Sequence, residues 1–227
     1  LGEIGATAAL YGLIMNFAFG MNNGLALTVS RCFGAGEREG IRRAVGWMVT
    51  LSAAVSIVLT TVSLLGRGAL LQVLQVPAEV WDGAAAYLTV ILLGIPLTML
   101  YNMEAALLRA VGNSVTPLLF LLFSSVLNVG LDAAFMGPLG MGVRGAAVAT
   151  VLAQGISAVL GAVYLVRSYP ELHFAPAHLK KSARRAVMNM FWAGMSMGLM
   201  SAIYNLGSVA LQSSINALGS VYITAQT

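Results

Sequence analysis

Six stretches of this chain contain no charged side chain, and each is long enough to cross a lipid bilayer. They cover residues 4–30, 44–66, 83–103, 110–131, 145–166 and 186–227. A transmembrane helix needs about 20 mostly apolar residues, so every stretch qualifies. The stretches are continuously apolar, whereas the strands of a membrane β-barrel would be short and alternating. The sequence therefore predicts an all-α membrane protein, a polytopic helix bundle with six transmembrane helices in this chain.

Composition and charge placement agree with a membrane location. Charged residues make up 9% of the chain, against about 25% in average soluble domains. If the loop after the first span is cytoplasmic, ten of the twelve basic residues lie inside and only Arg67 and Arg144 lie outside. This positive-inside pattern explains the net charge without a nucleic-acid partner. We expect a multi-pass protein of the cytoplasmic (inner) membrane, with cytoplasmic loops at residues 31–43, 109–115 and 167–185.

A short internal repeat indicates the larger architecture. Residues 1–8 and 218–225 share four identities in eight positions, at an offset that spans six helices. An even number of helices returns both copies to the same membrane side, as a parallel repeat requires. We therefore expect this chain to be part of a longer protein with twelve helices in two pseudo-symmetric six-helix lobes. Residues 1–178 would hold helices two to six of the first lobe, and residues 179–227 the end of a cytoplasmic linker and the first helix of the second lobe.

One carboxylate, Asp132, lies near the end of an otherwise uncharged run, and Asn128 precedes it by one helical turn. At this spacing both polar groups fall on the same helix face. An ionised Asp isolated in hydrocarbon costs at least about 2.5–3.5 kcal/mol, so it needs a partner, a proton or an ion. The alternative is an acid that simply reaches the headgroup region beside Pro138. Asp132 is the first candidate for a functional residue.

The third span carries a second acid and a proline. Glu104, near the inner end, is a candidate for lining a cavity for cationic substrates. Pairing with Arg43 or Arg109, or reaching toward the headgroups, is the more common role for such an acid, and we favour it here. Pro96, in the same span, should kink its helix.

Two other spans carry polar side chains without charge. In the first span, Asn16, Asn22 and Asn23 accompany the pattern Gly20-xxx-Gly24, which favours close helix packing with interhelical hydrogen bonds. Lining of a substrate cavity is the alternative for Asn16. In the last span, the residues that either face a cleft between the lobes or pack within the bundle are Tyr204, Asn205 and Gln212. An interfacial helix carrying Met188, Phe191 and Trp192 is predicted just before that span.

An enzymatic interpretation has little support in the sequence. The run from Gly194 to Gly198 fits the hydrolase pattern Gly-x-Ser-x-Gly, but that nucleophile needs a strand-to-helix elbow and a base. Both histidines, His173 and His178, fall in the predicted cytoplasmic loop. The single cysteine, Cys32, excludes an internal disulfide or a cysteine-based metal cluster within the chain. We therefore expect no catalytic residues.

Several motifs, in their order and spacing, resemble those of the multidrug and toxin extrusion (MATE) family. The loop after the first span reads Ser-Arg-Cys-Phe-Gly-Ala-Gly-Glu-Arg-Glu from Ser30, and Arg42-Arg43 follow it. The later motifs are Pro96, Tyr101-Asn102, the run 108–114, Pro117, the run 127–132 and the run 142–150. The resemblance covers essentially the whole chain. It implies a twelve-helix, two-lobed exporter that exchanges organic compounds for H⁺ or Na⁺.

The resemblance also implies a cation site. In one branch of the family, an Asp on helix one joins an Asn and an Asp on helix five and a Thr on helix six. The matching positions here are Asn128, Asp132 and Thr150, and the helix-one acid would lie upstream of Leu1. Asp132 is about 6 Å and Thr150 about 10 Å from the outer ends of their helices, at 1.5 Å per residue. Their depths therefore agree, although an inter-helix hydrogen-bond cluster would need the same arrangement.

The leading hypothesis is a secondary active antiporter that exports organic, often cationic, drugs or metabolites in exchange for H⁺ or Na⁺. Its partners would be a small-molecule organic substrate and the lipid bilayer, and the transporter would be monomeric. No cofactor is expected beyond the coupling ion, and Na⁺ is a possible ligand of Asp132. The alternatives are a lipid-linked sugar flippase of similar architecture and, less favoured, a membrane-embedded enzyme.

Overall fold

A computed structural model describes residues 2–73, 81–173, 179 and 184–218, with side chains described over 12–72, 81–173, 179 and 184–208. These residues form α-helices and one short 3₁₀ turn. The α-helices are α1 (Gly2–Gly34), α2 (Arg38–Leu65), α3 (Arg67–Val73), α4 (Trp81–Leu93), α5 (Ile95–Ala110), α6 (Val115–Met136), α7 (Gly142–Ser168) and α8 (Arg184–Leu218). The 3₁₀ turn is Pro170–Leu172. The predicted all-α class is confirmed.

Four helices of the described chain are long and apolar enough to cross a membrane, namely α2, α6, α7 and the part of α8 up to Ser208. The helices α4 and α5 together pass the same test as a bent pair and would make a fifth span. Helix α1 contains the first predicted span and has 33 residues, which is more than a bilayer requires. Its described side chains include three asparagines, and it is not among the four.

The third predicted span is broken in two at Gly94. Helices α4 and α5 meet there at an angle of 41°, and Pro96 lies in the first turn of α5. A proline lacks the backbone N–H and its ring collides with the carbonyl of the preceding turn, so the helix breaks just before it. The kink expected from Pro96 is therefore confirmed. Gly94 also has a packing reason to lack a side chain, because a Cβ there would stand 2.5 Å from Val151 Cγ2 on α7.

Helix α1 packs most extensively against α8, and glycines on both helices make the contact close. A Cβ on Gly24 would stand 2.5 Å from the Ala193 carbonyl oxygen and 2.8 Å from the Gly194 Cα, while one on Gly20 would overlap Ser201 Oγ. The close packing expected from Gly20-xxx-Gly24 is confirmed. The hydrolase-like run from Gly194 lies inside the continuous helix α8, so it is a packing surface and not a nucleophile elbow.

Two helix boundaries differ from the sequence prediction. Helix α8 runs unbroken from Arg184, so the separate interfacial helix predicted before the last span is wrong. Conversely, residues 67–73 form a short helix, α3, beyond the second uncharged stretch, where only a loop was expected. The short apolar run Ala-Leu-Leu in this segment follows Gly66, which ends α2.

Helix α7 connects the other helices of the bundle. It pairs with α6 across a short hairpin and also contacts α5 and α4. The hairpin needs glycine, because Gly140 and Gly142 have φ angles of +58° and +57°, a region that other residues rarely adopt. Helices α6 and α7 are therefore close neighbours, and the hairpin brings the two predicted site helices together.

Candidate functional site

The sequence-predicted site lies where α6 packs on α7. Asn128 Nδ2 donates a hydrogen bond of 3.3 Å to Thr150 Oγ1. The Thr150 hydroxyl in turn donates to the Ala146 carbonyl at 2.9 Å, so its proton is used within its own helix. Its oxygen lone pairs therefore face Asn128. The structure thus brings two of the three predicted residues into direct contact.

Asp132 lies one turn beyond Asn128 on α6 and is half-buried. Its Oδ1 atom is fully buried and has no hydrogen-bond partner among the described residues. Buried polar atoms in folded proteins nearly always have a partner, so an unpartnered one needs an explanation. A carboxylate oxygen is an acceptor, which a proton, a cation or a hydrogen-bond donor would satisfy.

A residue that the sequence analysis missed, Tyr87, lies near this carboxylate. Tyr87 is on α4, is half-buried, and interacts electrostatically with Asp132. It is six residues from the start of α4, and Asp132 is four residues from the end of α6. These positions are about 9 Å and 6 Å from the same side of the bundle. The sequence signal that could have identified Tyr87 is its hydroxyl group, which lies in an apolar run at a depth similar to that of Asp132.

The described residues contain no group of three or more His, Cys, Asp or Glu side chains that could hold a metal ion. Within the described residues, a cation at Asp132 would meet one carboxylate together with amide and hydroxyl oxygens. Hard cations prefer such oxygen ligands. The amide of Asn128 donates through Nδ2, which leaves its carbonyl oxygen as an acceptor. The set suits either a hard cation or a proton.

Two asparagines of α1 differ in their hydrogen bonds, because Asn22 bonds to another helix and Asn16 bonds within α1. Asn22 is fully buried. It donates to the Ala18 carbonyl at 2.9 Å, and it accepts a hydrogen bond of 3.0 Å from Ser52 on α2. The expected interhelical hydrogen bonding of α1 is confirmed at this residue. Asn16 is half-buried and donates to the Gly12 carbonyl in its own helix. Its cavity role stays a prediction.

The favoured pairing of Glu104 with an arginine is wrong. Glu104 is 4% exposed, and neither carboxyl oxygen has a hydrogen-bond partner among the described residues. Arg109 instead donates to Asn23 Oδ1 at 3.0 Å and lies 5.3 Å above the Phe19 ring. An arginine gains both a hydrogen bond and a cation–π contact there. Glu104 itself lies against α7 and, in this conformation, does not line an open cavity.

The predicted cleft residues of α8 do not join the Asp132 site. Tyr204 is 77% exposed. The side chain of Asn205 lies beside Gly12 of α1, 3.6 Å from the place where a Cβ on that glycine would stand. Gln212 falls in the part of α8 whose side chains lie outside the described residues. Tyr204 therefore lies on the outer surface of the described helices, whereas Asn205 faces α1.

Outside the spans, the single thiol does not look reactive. Cys32 is half-buried at the end of α1. Burial raises the pKa of its thiol, and the negative charge of Glu37 raises this pKa further. Less of the nucleophilic thiolate is therefore present at neutral pH.

Comparisons with known proteins agree with this architecture. The sequence model of the MatE family matches residues 1–134. The probable multidrug resistance protein YpnP of Bacillus subtilis is 28% identical over 219 residues, which cover 96% of this chain and 48% of that protein. A crystal structure of MATE in the straight conformation superposes with a TM-score of 0.84 at 26% identity, over 99% of this chain and 48% of that one.

A second solved structure has the same fold. It is an inward-facing conformation of a multidrug resistance MATE family transporter of the MOP superfamily, with a TM-score of 0.84 at 24% identity over 91% of this chain and 47% of that one. The chain spans about half the length of the curated relatives it matches. Since the family model matches more than half of its residues, this chain belongs to the MATE family, whose members are multi-pass membrane transporters and not enzymes.

Proposed function

We propose that the protein containing this chain is a secondary active antiporter, which exports organic and often cationic compounds across the cytoplasmic membrane in exchange for H⁺ or Na⁺. The observation that carries the proposal is the half-buried Asp132, whose Oδ1 has no hydrogen-bond partner among the described residues. Tyr87 interacts electrostatically with this carboxylate, and the hydrogen-bonded pair Asn128–Thr150 begins one helical turn away on α6. The relatives named as multidrug resistance proteins support export of organic compounds over a lipid-linked sugar flippase.

The coupling step follows from the cost of a charge in the bilayer. When the site opens outward, a proton or Na⁺ binds Asp132 and neutralises it. The charge that acts on Tyr87 then disappears, and α4 is free to repack against α7. Because α4 is one half of the bent pair, this repacking would change the angle at Gly94. Binding of the ion is thereby linked to the shape of the lobe.

The proposed cycle continues with release of the exported compound to the outside and reopening toward the cytoplasm, where the ion leaves. A membrane potential supplies about 2.3 kcal/mol per charge for each 100 mV, which is enough to bias such a cycle. In the whole transporter, residues 1–178 would belong to the first lobe and residues 179–227 to the linker and the first helix of the second lobe. The resemblance between residues 1–8 and 218–225 supports that division.

The test is drug-driven collapse of a proton or sodium gradient in everted membrane vesicles that contain the full-length protein. Asp132→Asn keeps the shape of the side chain and removes its charge, so we expect it to abolish the collapse. Asp82→Asn is the matched control, because Asp82 is an exposed acid in the first turn of α4. That variant should behave as the wild type. Gradient collapse that survives in Asp132→Asn at the wild-type rate would contradict the proposal.

A further inference from the structure

The mechanism above leaves one buried acid unused. Glu104 lies on α5, six residues before its end at Ala110, in the half of the bundle predicted to face the cytoplasm. Its carboxyl group faces a cavity of about 10 Å³ lined by Tyr101, Leu108, Pro117, Phe120, Ser157 and Gly161. That space holds about one water molecule at most. The carboxyl group is therefore enclosed between α5, α6 and α7.

Two features of α7 are fitted to this carboxyl group. A Cβ on Gly161 would overlap Glu104 Oε2 and stand 3.4 Å from the carboxyl carbon, so the acid in this position packs directly against the glycine. One turn earlier, the Ser157 hydroxyl is fully buried and has no hydrogen-bond partner among the described residues. The cavity thus brings together a carboxyl group and a hydroxyl group that are both buried and both unpartnered.

Among the residues that the structure describes, no cationic side chain faces Glu104. On its own helix, the titratable neighbour is Tyr101, whose hydroxyl lies 3.5 Å from the Pro117 carbonyl oxygen. Arg109, five residues after Glu104, is directed to Asn23 and Phe19 of α1. The cavity lining from α6 and α7 contains no titratable side chain. A bare carboxylate is strongly disfavoured in such an environment, and the cavity is too small for a hydrated ion. The ligand that fits is a proton.

One face of α7 connects this acid with the Asp132 site. Thr150, Gln154, Ser157 and Gly161 follow at intervals of four, three and four residues, which places them on a single helix face. Thr150 accepts from Asn128, Gln154 accepts a hydrogen bond from Thr98 of α5, and the last two contact the Glu104 cavity. The stripe covers about 16 Å along the helix axis. This face of α7 therefore carries polar groups at intervals between the level of the Asn128–Thr150 contact and the Glu104 cavity.

We propose that Glu104 is a second proton-binding site of the transporter, located at the inner end of the α7 stripe and protonated in this conformation. The site releases its proton toward the cytoplasm when α5 moves away from Gly161 and water reaches the carboxylate. The inference rests on the proposed transport function and adds a second acid to it. Asp132 then binds the coupling ion on the outer side, and Glu104 responds to the pH of the inner side.

The direct test is infrared difference spectroscopy of the purified full-length protein between acidic and alkaline pH, read in the carbonyl band of protonated carboxylic acids. We expect Glu104→Gln to remove one component of this band and to leave the component that Asp132→Asn removes. Ser157→Ala should shift the frequency of the Glu104 component without removing it, because it changes only the neighbouring hydroxyl. A Glu104→Gln spectrum with the full wild-type band would overturn the proposal.

A transport readout separates a proton site from a merely structural residue. In vesicles with independently set internal and external pH, we expect Glu104→Gln to lose the dependence of drug export on cytoplasmic pH and to keep its dependence on external pH. Glu104→Asp retains a titratable group and should keep both dependences, which also covers the case in which the glutamine variant does not fold. Unchanged dependence on cytoplasmic pH in Glu104→Gln would overturn the second site alone, whereas normal coupled export in Asp132→Asn would overturn the proposed function.

Discussion

Asn128, Thr150 and Tyr87 belong to three different helices, and each presents a polar group on the side of the bundle where Asp132 lies. Asn128 and Thr150 form a contact that the family resemblance implied. A short hairpin between α6 and α7 is enough to bring them together. The position of Tyr87 could not be derived in this way, because it depends on how the bent pair lies against α7. The partners of a long side chain are harder still to predict. Arg109 contacts Asn23 and Phe19, which are far away in the sequence.

Removing the Thr150 hydroxyl tests the polar contact on its own. Thr150→Val keeps the side-chain shape and leaves the Asn128 amide without its acceptor. Such a loss costs about 1 kcal/mol, so we expect the apparent affinity for the coupling cation to fall about fivefold. The measurement is the cation concentration that gives half-maximal drug export. Thr60→Val is the control, since the Thr60 hydroxyl has no hydrogen-bond partner among the described residues. Equal half-saturation values for both variants would refute the role of Thr150.

At the scale of the helices, the sequence predicted the features that single residues determine, namely a helix bend and a close helix contact. Pro96 predicted a bend, and Gly20-xxx-Gly24 predicted close packing, because a missing N–H and a missing Cβ act wherever they occur. The boundaries of α3 and α8 were not predicted. Whether a segment continues a helix or lies in the interface depends on its neighbours in the bundle, and the composition of the segment does not contain that information.

The packing of α1 on α8 gives a stability prediction. Gly24→Ala would place a methyl group 2.5 Å from a backbone oxygen of α8, so the two helices must move apart. Overpacking of this kind costs about 1–3 kcal/mol, and we expect the Tm of the detergent-purified protein to fall by a few degrees. Gly34→Ala lies on the same helix and meets no atom within 4 Å, so it serves as the control. The close packing would be irrelevant to stability if both variants melted at the same temperature.

For the molecule as a whole, the sequence alone predicted the helical membrane class, because six long uncharged stretches leave few alternatives. Its match to half of a MATE transporter was also foreseen, from motif order and spacing. The orientation in the membrane and the two-lobed arrangement remain predictions. Both concern surroundings, the bilayer and the expected second lobe, that lie outside the described helices.

Labelling of Cys32 tests the orientation. With Cys32 as the remaining cysteine of the full-length protein, a membrane-impermeant maleimide should label everted vesicles and not intact cells. Because burial and Glu37 raise the pKa of this thiol, less thiolate is present at neutral pH, and the labelling rate should keep rising well into the alkaline range. Leu139→Cys in a Cys32→Ser background should show the reverse sidedness, since Leu139 is exposed in the predicted outer hairpin. Labelling of Cys32 in intact cells would show that the predicted orientation is inverted.

The central claim is that Asp132 couples transport to an ion. The most direct measurement compares two activities of the full-length protein in the same proteoliposomes: uphill drug transport driven by an imposed H⁺ or Na⁺ gradient, and drug exchange at equilibrium without any gradient. We predict that Asp132→Asn abolishes the uphill transport while equilibrium exchange persists, because substrate binding does not need the carboxylate but coupling does. Gradient-driven accumulation by Asp132→Asn at the wild-type level would contradict the account.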